Sequence, residues 1–397
     1  MNVPFLDLKR QYEQLKDQLE PVIIEAVRSG SYIGGKFVET FEAEMCKYLS
    51  VKHAIGCANG TDAIMLALRA HDIGIGDEVI TTPFTFFATA EAIAAVGATP
   101  VFVDVRESDF NIDPSKIEES ITSKTKAIIP VHIFGWPCDM DEINAIACKH
   151  SLKVIEDAAQ AIGCAYQGSK IGNTNNIVTF SFYPTKNLGA FGDAGMITTN
   201  DDSLAIILRA LREHGMAKNG AKARELLYGQ KDEFDVESGS SEVLYNPYKY
   251  FNYLIAYNSR LDAIQAAILS LKLKFLDGYN KKRSEIASLY DQRLKNVVRT
   301  PEPIINGKGC YHQYAIRTDR KEELGDFLAK NGIGSGAFYP VPLHLQKAFE
   351  GLGYKKGDMP IAEMLSEQTV CLPIYPELEN EEIEAVIQAI IKFEGGK

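Results

Sequence analysis

The order of apolar and polar positions divides the chain into a helical beginning, an alternating middle and a mixed end. Apolar side chains recur at steps of three and four over residues 12–29, which predicts an amphipathic helix. A second helix of this type is predicted after Gly34 and Gly35. From His53 to about Asn200 the pattern changes to short, continuous apolar runs. We predict strands for the runs at 53–58, 78–82, 100–105, 127–134, 152–155, 177–182 and 196–199.

Helical stretches lie between several of these strands, at 61–71, 87–96 and 139–150. Continuous apolar strands that alternate with helices are typical of a mostly parallel sheet whose two faces are both covered. The pattern therefore predicts one large α/β domain, which we place at residues 1–259.

The chain after residue 200 is patterned less regularly. After a predicted helix at 202–213, the polar stretch at 216–250 is predicted to be a long, mobile insertion. Residues 260–397 are predicted to form a smaller C-terminal α+β domain. Its predicted strand is 312–318, and its predicted helices are 260–276, 279–294, 321–331 and 380–393.

The composition argues against several classes of protein. Of the 397 residues, 46% are apolar and 24% are charged, as in ordinary globular enzymes. The net charge of −11, from 42 basic and 53 acidic side chains, argues against general nucleic-acid binding. No apolar stretch of about 18 residues is present that could span a membrane. Seven cysteines without a CxxC pair indicate reduced thiols, and we expect a cytoplasmic protein.

The first candidate site follows the first predicted strand. In an open α/β sheet, ligands bind beyond the carboxyl ends of the strands. Asn59, Gly60, Thr61 and Asp62 lie there and begin a helix. Free backbone N–H groups at a helix start attract phosphate, and the helix dipole adds to this attraction. Ordinary helix capping without a ligand explains the same residues equally well.

Two further strand ends carry charged residues. Asp157 follows the run at 152–155, and a buried carboxylate there needs either helix N–H groups or a cation such as a protonated ring nitrogen. Lys186 lies in a Gly-rich turn after the run at 177–182. It is either a solvated charge or an enclosed amine that can form a Schiff base with an aldehyde.

Together, these three sites match the requirements of pyridoxal 5'-phosphate. The lysine would hold its aldehyde, the helix start its phosphate, and the carboxylate would keep its pyridine nitrogen protonated. An aromatic side chain stacked on the ring would complete the set. Phe84, Phe86 and Phe87 follow another predicted strand, with core packing as the alternative role for each.

Longer segments carry a resemblance to a known family. They are PFLDL at 4–8, ANGTDAIMLAL at 58–68, TPFTFFATAEAI at 82–93, PVHIFGWPCDM at 130–140, VIEDAAQAIG at 154–163, FSFYPTKNLGAFGDAG at 180–195, LREHG at 211–215, YNSRLDAIQAAI at 257–268, FYPVPLHLQ at 338–346 and LPIYP at 372–376. In this order and spacing, the chain resembles the DegT/DnrJ/EryC1/StrS aminotransferases, which make amino sugars on nucleotide carriers.

The resemblance implies an α/β fold of the aspartate-aminotransferase type, with a mixed seven-stranded sheet and a smaller C-terminal domain. It also implies a homodimer with active sites at the subunit interface. Lys186 would be the Schiff-base lysine and Asp157 the partner of the pyridine nitrogen. The other implied cofactor contacts are Gly60, Thr61, Phe86, Gln160, Ser181 and, from the neighbouring subunit, Asn258. The implied substrate contacts are Tyr183, Tyr339 and His344, together with Arg260 and His312, which the resemblance implies approach the sugar nucleotide across the dimer interface.

The chain departs from the family pattern at two positions. Ile162 stands where many relatives have histidine, and Trp136 stands where a small or polar residue is expected. The predicted function is transfer of an amino group from L-glutamate to a nucleotide-linked keto sugar. The variants YNSRLD and GDAG resemble the branch of the family that acts on 3-keto sugars more than the 4-keto branch, and a 4-keto substrate stays open.

Two alternative functions stay open. A sugar dehydratase of the same family would replace Lys186 with histidine. A non-catalytic, cofactor-binding regulatory protein would be expected to lose Lys186 or Asp157, and both are present. No metal site is expected.

Overall fold

The computed structural model describes residues 2–231, 250–302 and 306–395. In chain order, the strands β1 to β12 are His53–Cys57, Glu78–Thr81, Thr99–Phe102, Thr125–Ile129, Lys153–Asp157, Ala165–Tyr166, Ser169–Lys170, Ile177–Ser181, Gly195–Thr199, Gly307–Lys308, Tyr314–Arg317 and Thr369–Leu372. The helices α1 to α12 are Leu8–Arg28, Gly35–Leu49, Gly60–Ala70, Ala88–Ala95, Met140–His150, Asp202–Leu211, Ala217–Tyr228, Ala263–Leu273, Leu276–Leu294, Lys321–Lys330, Pro360–Gln368 and Asn380–Gly395.

Seven strands form the large mixed sheet that the sequence predicted, in the order β1-β9-β8-β5-β4-β2-β3. All neighbouring pairs among β8, β5, β4, β2 and β3 are parallel, whereas β9 runs antiparallel to both of its neighbours. Successive side chains of a strand point to opposite faces. Ile197 accordingly packs in the cluster with α3 and α6, and Met196 packs in the cluster with α2 and α8. Helices therefore cover both faces, which explains the continuous apolar runs.

The antiparallel strand β9 brings three distant parts of the chain together. Cys57 at the end of β1 pairs with Gly195, and Gly195 pairs with Ser181 at the end of β8. A Cβ atom on Gly195 would lie 2.3 Å from the backbone oxygen of Asn59, so only glycine permits this approach. The start of β9 thus lies at the sheet edge where the parallel strands end.

The predicted insertion at 216–250 is wrong in its first part. Residues Ala217–Tyr228 form the helix α7, whose Ala223 is completely buried in the core cluster that contains α6. Its buried face consists of small residues, which a search for large apolar side chains does not detect. Residues 232–249 lie outside the described residues.

The C-terminal elements form their own core. Strands β11 and β12 pair antiparallel, and α9, α10 and α12 bury apolar side chains around them. Helix α8 instead packs Ala266 and Leu269 into the core of the large sheet. The domain division at residue 260 stays a prediction. Within the described ranges, no helix combines the length and apolar character needed to cross a membrane.

Candidate active site

A cavity of about 800 Å³ lies at the carboxyl end of the large sheet. Gly60, Asp157 and Lys186, which the sequence placed after three separate strands, all line it. Further predicted residues in its wall are Thr61, Phe86, Gln160, Ser181, Tyr183, His312 and Tyr339. The fold therefore brings most of the predicted site together in one chain. The expectation that His312 comes from the neighbouring subunit is wrong, because it lines the cavity of its own chain beside Lys186.

The start of α3 forms one end of this cavity. Asn59 caps the helix, since its side-chain oxygen accepts from the N–H of Asp62 at 2.8 Å. The N–H groups of Gly60 and Thr61 have no acceptor among the described residues and remain available to a ligand. A Cβ atom on Gly60 would lie 2.8 Å from the Cβ of Ser181. We call Gly60, Thr61 and Ser181 the anion site, because they offer donors beside the positive end of a helix dipole.

Asp157, the last residue of β5, has a side chain that is 95% buried. Its Oδ2 accepts a hydrogen bond from Thr89 Oγ1 at 2.8 Å, and its Oδ1 accepts from the N–H of Ala159 at 3.1 Å. These two bonds fix the orientation of the carboxylate but leave acceptor capacity on both oxygens. A cationic group in the cavity can therefore bind to it.

Lys186 is the cation in this cavity wall. Burial lowers the pKa of its amine to about 8, and the charge of Asp157 opposes this effect. The turn that carries the lysine is closed by a hydrogen bond from its own N–H to the backbone oxygen of Tyr183 at 2.8 Å. A larger share of the amine is thus neutral near pH 7 than for an exposed lysine, as nucleophilic attack requires.

Gln160 and Tyr339 form a pair on the wall of the cavity. The amide nitrogen of Gln160 donates to the Tyr339 hydroxyl at 2.8 Å, and its oxygen accepts from the N–H of Phe134 at 2.8 Å. Burial raises the pKa of Tyr339 well above its usual range, so the hydroxyl keeps its proton. Phe86 packs near Tyr339 and is 60% exposed, so its ring is accessible for stacking against a ligand in the cavity.

Three predicted contacts do not line the cavity. His344 is buried and its Nε2 lies 3.0 Å from Glu363 Oε1, so it holds the loop to α11. Asn258 is exposed, and Arg260 is partly exposed. Between them, Ser259 is buried and its hydroxyl accepts from the N–H of Ala58 at 3.2 Å.

The two departures from the family pattern are both core residues. Ile162 is 3% exposed and packs in the core between α2, α8 and the sheet. Trp136 packs edge to face against Tyr311, with ring centres 4.9 Å apart. Neither side chain lines the cavity, so neither departure changes its chemistry directly.

Two residues that support the site, Thr89 and Asn187, were not predicted from the sequence. Thr89 donates a hydrogen bond to Asp157 from within the alanine-rich helix α4, where nothing in the sequence pattern marks it. Asn187 holds His312 through a contact of 3.2 Å between its Oδ1 and the ring Nδ1. Its position directly after Lys186 is the one signal that could have identified it.

Comparison with known proteins identifies the family. The model of the DegT/DnrJ/EryC1/StrS aminotransferase family matches residues 13–391. The chain is 46% identical to a "Pleiotropic regulatory protein" of Geobacillus stearothermophilus, over 99% of both chains. It is 39% identical to a dTDP-3-amino-3,4,6-trideoxy-alpha-D-glucose transaminase of Streptomyces venezuelae, over 98% of this chain and 95% of the other.

Among solved structures, the fold is similar to that of S. venezuelae DesV in complex with a ketimine intermediate. The TM-score is 0.88 at 38% identity, and the match covers 99% of this chain and 98% of the other. Both comparisons extend over the whole α/β sheet and the C-terminal elements. The chain belongs to the DegT/DnrJ/EryC1/StrS aminotransferase family.

Proposed function

We propose that this protein is a pyridoxal-phosphate-dependent aminotransferase that moves an amino group from L-glutamate to a nucleotide-linked 3-keto sugar. The observation that carries the proposal is the meeting of the anion site, Asp157 and Lys186 in one cavity. The preference for a 3-ketone is supported by the S. venezuelae relative, whose name places the new amino group at C-3.

The residues present fit this cofactor. Because Gly60 has no side chain, the free N–H groups at the helix start lie close to the Ser181 hydroxyl, and one phosphate can accept from both. Asp157 would bind the protonated pyridine nitrogen. Phe86 would cover the ring, and the lysine amine lies in the same cavity.

When bound, pyridoxal phosphate supplies an electron sink for the negative charge that develops at the donor's Cα. The Nζ of Lys186 would remove the proton from that carbon and later release it, because a pKa of about 8 lets the amine both accept and give up a proton near neutral pH. Asp157 would keep the ring nitrogen charged, and the anion site would hold the phosphate. Together they would orient the cofactor toward Lys186.

The second half of the reaction repeats these proton transfers in the opposite direction on the sugar ketone. It requires the same amine, now as an acid toward the sugar carbon. One lysine therefore serves both halves, which is why its loss should abolish turnover rather than slow one step.

The function is tested with a panel of nucleotide-linked 3-keto and 4-keto sugars, with glutamate as donor and mass spectrometry of the product. We expect amination of a 3-keto sugar by the wild-type protein. Lys186→Ala should bind the cofactor non-covalently and give no aminated sugar. A wild-type protein that binds the cofactor but aminates no member of the panel would contradict the proposal.

A regulatory function is the second candidate, since the 46% identical Geobacillus relative is named as a regulatory protein. The cavity argues for catalysis, because a protein that only senses the cofactor needs no amine with a lowered pKa. The two functions are separated by the same panel. A purely regulatory protein would bind pyridoxal phosphate without releasing 2-oxoglutarate from glutamate.

The proposal includes a homodimer with shared active sites. Four carboxylates of the described residues line the cavity, namely those of Asp62, Glu91, Asp157 and Asp193. Among these same described residues, Lys186 is the one lysine or arginine in the cavity wall. A site with this charge needs further cations to hold a phosphate and a nucleotide diphosphate. Arg260, a cation, and Asn258, a hydrogen-bond donor, do not line the cavity of their own chain. A second copy of the chain would supply both residues to it.

Subunit mixing tests the dimer. Lys186→Ala subunits and subunits with Asn258→Ala and Arg260→Ala should each be strongly impaired alone. After exchange, each hybrid dimer should regain one intact site. Exchange verified by native mass spectrometry without any recovery of activity would show that Asn258 and Arg260 do not serve the neighbouring site.

A further inference from the structure

Asn187 follows Lys186 directly and is 95% buried. Its Nδ2 donates to the Oδ1 of Asn280 at 2.8 Å and to the backbone oxygen of Cys310 at 2.9 Å. Its Oδ1 lies 3.2 Å from the Nδ1 of His312. Both hydrogens of the amide nitrogen are therefore used, and the oxygen faces the imidazole.

Two backbone oxygens fix the orientation of these amides. A backbone carbonyl can only accept, so the Asn187 atom beside the Cys310 oxygen must be the amide nitrogen. Asn280 is fixed in the same way, because its Nδ2 donates to the backbone oxygen of Ile162 at 3.0 Å. The direction of hydrogen bonding therefore runs without ambiguity from the imidazole through both amides to the main chain.

This direction determines the state of the imidazole. The amide oxygen of Asn187 accepts only, so the Nδ1 of His312 must carry a hydrogen. Burial lowers the pKa of His312 well below its usual range, and the charges of Lys186 and Arg283 lower it further. The ring is then neutral, and its Nε2 carries a lone pair.

The Nε2 atom has no hydrogen-bond partner in residues 2–231, 250–302 or 306–395, and His312 lines the cavity. A lone pair in this position accepts a hydrogen bond from a hydroxyl but repels the oxygens of a diphosphate or a carbonyl. Arg283 supports this arrangement from behind, because its guanidinium donates to the backbone oxygens of Tyr311 at 3.2 Å and His312 at 3.5 Å.

We propose that Asn187 is a positioning residue that holds His312 in the Nδ1–H tautomer and so presents Nε2 in the cavity as an acceptor for a hydroxyl of the sugar. The hydrogen on Nδ1 follows from the contacts alone, and the lone pair on Nε2 follows from the burial that keeps the ring neutral. The identity of the donor as a sugar hydroxyl rests on the proposed function.

Nuclear magnetic resonance of the full-length protein labelled with ¹⁵N-histidine measures the tautomer directly, with and without bound pyridoxal phosphate. Two-bond nitrogen–proton couplings distinguish Nδ1–H from Nε2–H, and His312→Gln identifies its signals among the seven histidines. The wild-type protein should show Nδ1–H at His312. Asn187→Ala should give a mixture of tautomers.

Asn280→Ala is the matched control. It removes a buried amide of the same kind but leaves Asn187 bonded to the Cys310 oxygen, so the Nδ1–H tautomer should persist. A wild-type His312 with its hydrogen on Nε2, or an unchanged tautomer in Asn187→Ala, would overturn the proposal. Neither measurement requires turnover, so failure of the proposed function would not affect them.

Kinetics then test the role of Nε2. The KM for the keto sugar should rise as the inverse of the fraction of Asn187→Ala protein that keeps the Nδ1–H tautomer. A fall of that fraction to roughly a third to a tenth would raise the KM about three- to tenfold. The half-reaction with glutamate should keep its rate, because it does not use the sugar. Equal losses in both halves, or an unchanged KM despite a changed tautomer, would show that the lone pair does not bind the sugar.

Discussion

The amine of Lys186 should react with an aldehyde at a pH where an ordinary lysine is inert. Burial lowers its pKa from 10.5 to about 8, and the Asp157 charge only partly opposes this effect. At pH 7 about one tenth of such an amine is neutral, against roughly 0.0003 for a pKa of 10.5. The reactive fraction is therefore roughly 300-fold larger than for an exposed lysine.

The assay measures how fast cofactor-stripped protein captures pyridoxal phosphate between pH 6 and 10, with borohydride trapping and peptide mass spectrometry to place the bond at Lys186. The capture rate is divided by the rate for Nα-acetyl-lysine in solution, measured in parallel. This division cancels the titration of the cofactor itself. The ratio of the two rates should be largest below pH 8 and should fall toward pH 10.5, as the free lysine also loses its proton.

Asp157→Asn provides the check on cause. The carboxylate raises the pKa of Lys186. Its removal should therefore move the inflection in the plot of capture rate against pH to below pH 8. An inflection near pH 10.5 in the wild-type protein would refute the argument that burial governs this amine.

Three further predictions follow from the contacts of the site. Asp157→Asn should slow both half-reactions roughly 30-fold or more without loss of fold, measured by stopped-flow absorbance and circular dichroism, because a buried charge partner is lost. Thr89→Val removes the 2.8 Å bond to Asp157 at constant volume and should slow the same steps roughly tenfold, with full activity contradicting the orienting role. Gly60→Ala should weaken cofactor binding roughly tenfold in equilibrium titrations, because its Cβ would lie 2.8 Å from that of Ser181. Gly278→Ala, where a Cβ meets nothing within 4 Å, should bind the cofactor as the wild type does.

The sheet could be predicted from the sequence because its strands are buried on both faces. Six of the seven predicted runs match their strands to within a few residues. The prediction at 127–134 is wrong in its second half, because β4 ends at Ile129 and the apolar residues Ile133–Gly135 form a short 3-10 turn. Helix α7 and the pair formed by α11 and β12 were not predicted. Helix α7 buries only Gly220 and Ala223, which carry no strong apolar signal. Strand β12 is a run of only four residues, too short to be distinguished from a loop by its apolar pattern.

The three charged or anion-binding positions of the site were also predictable, because each follows a strand end. Their supports were not. Thr89 and Asn187 act through single hydrogen bonds across the fold, and a hydrogen bond between distant residues leaves no periodic trace in the sequence. His344 is the opposite case. It lies in a motif that predicted a substrate contact, but its ring instead contacts Glu363 inside the protein.

The antiparallel insertion of β9 has a consequence for the order of events during synthesis. The anion site joins Gly60 to Ser181, more than a hundred positions later, through a strand that begins at Gly195. Contacts over such separations close slowly, because the chain between them must first lose its conformational freedom. A nascent chain therefore lacks the complete anion site until β9 has paired with β1 and β8. A cofactor that binds only this paired state stabilises it by mass action.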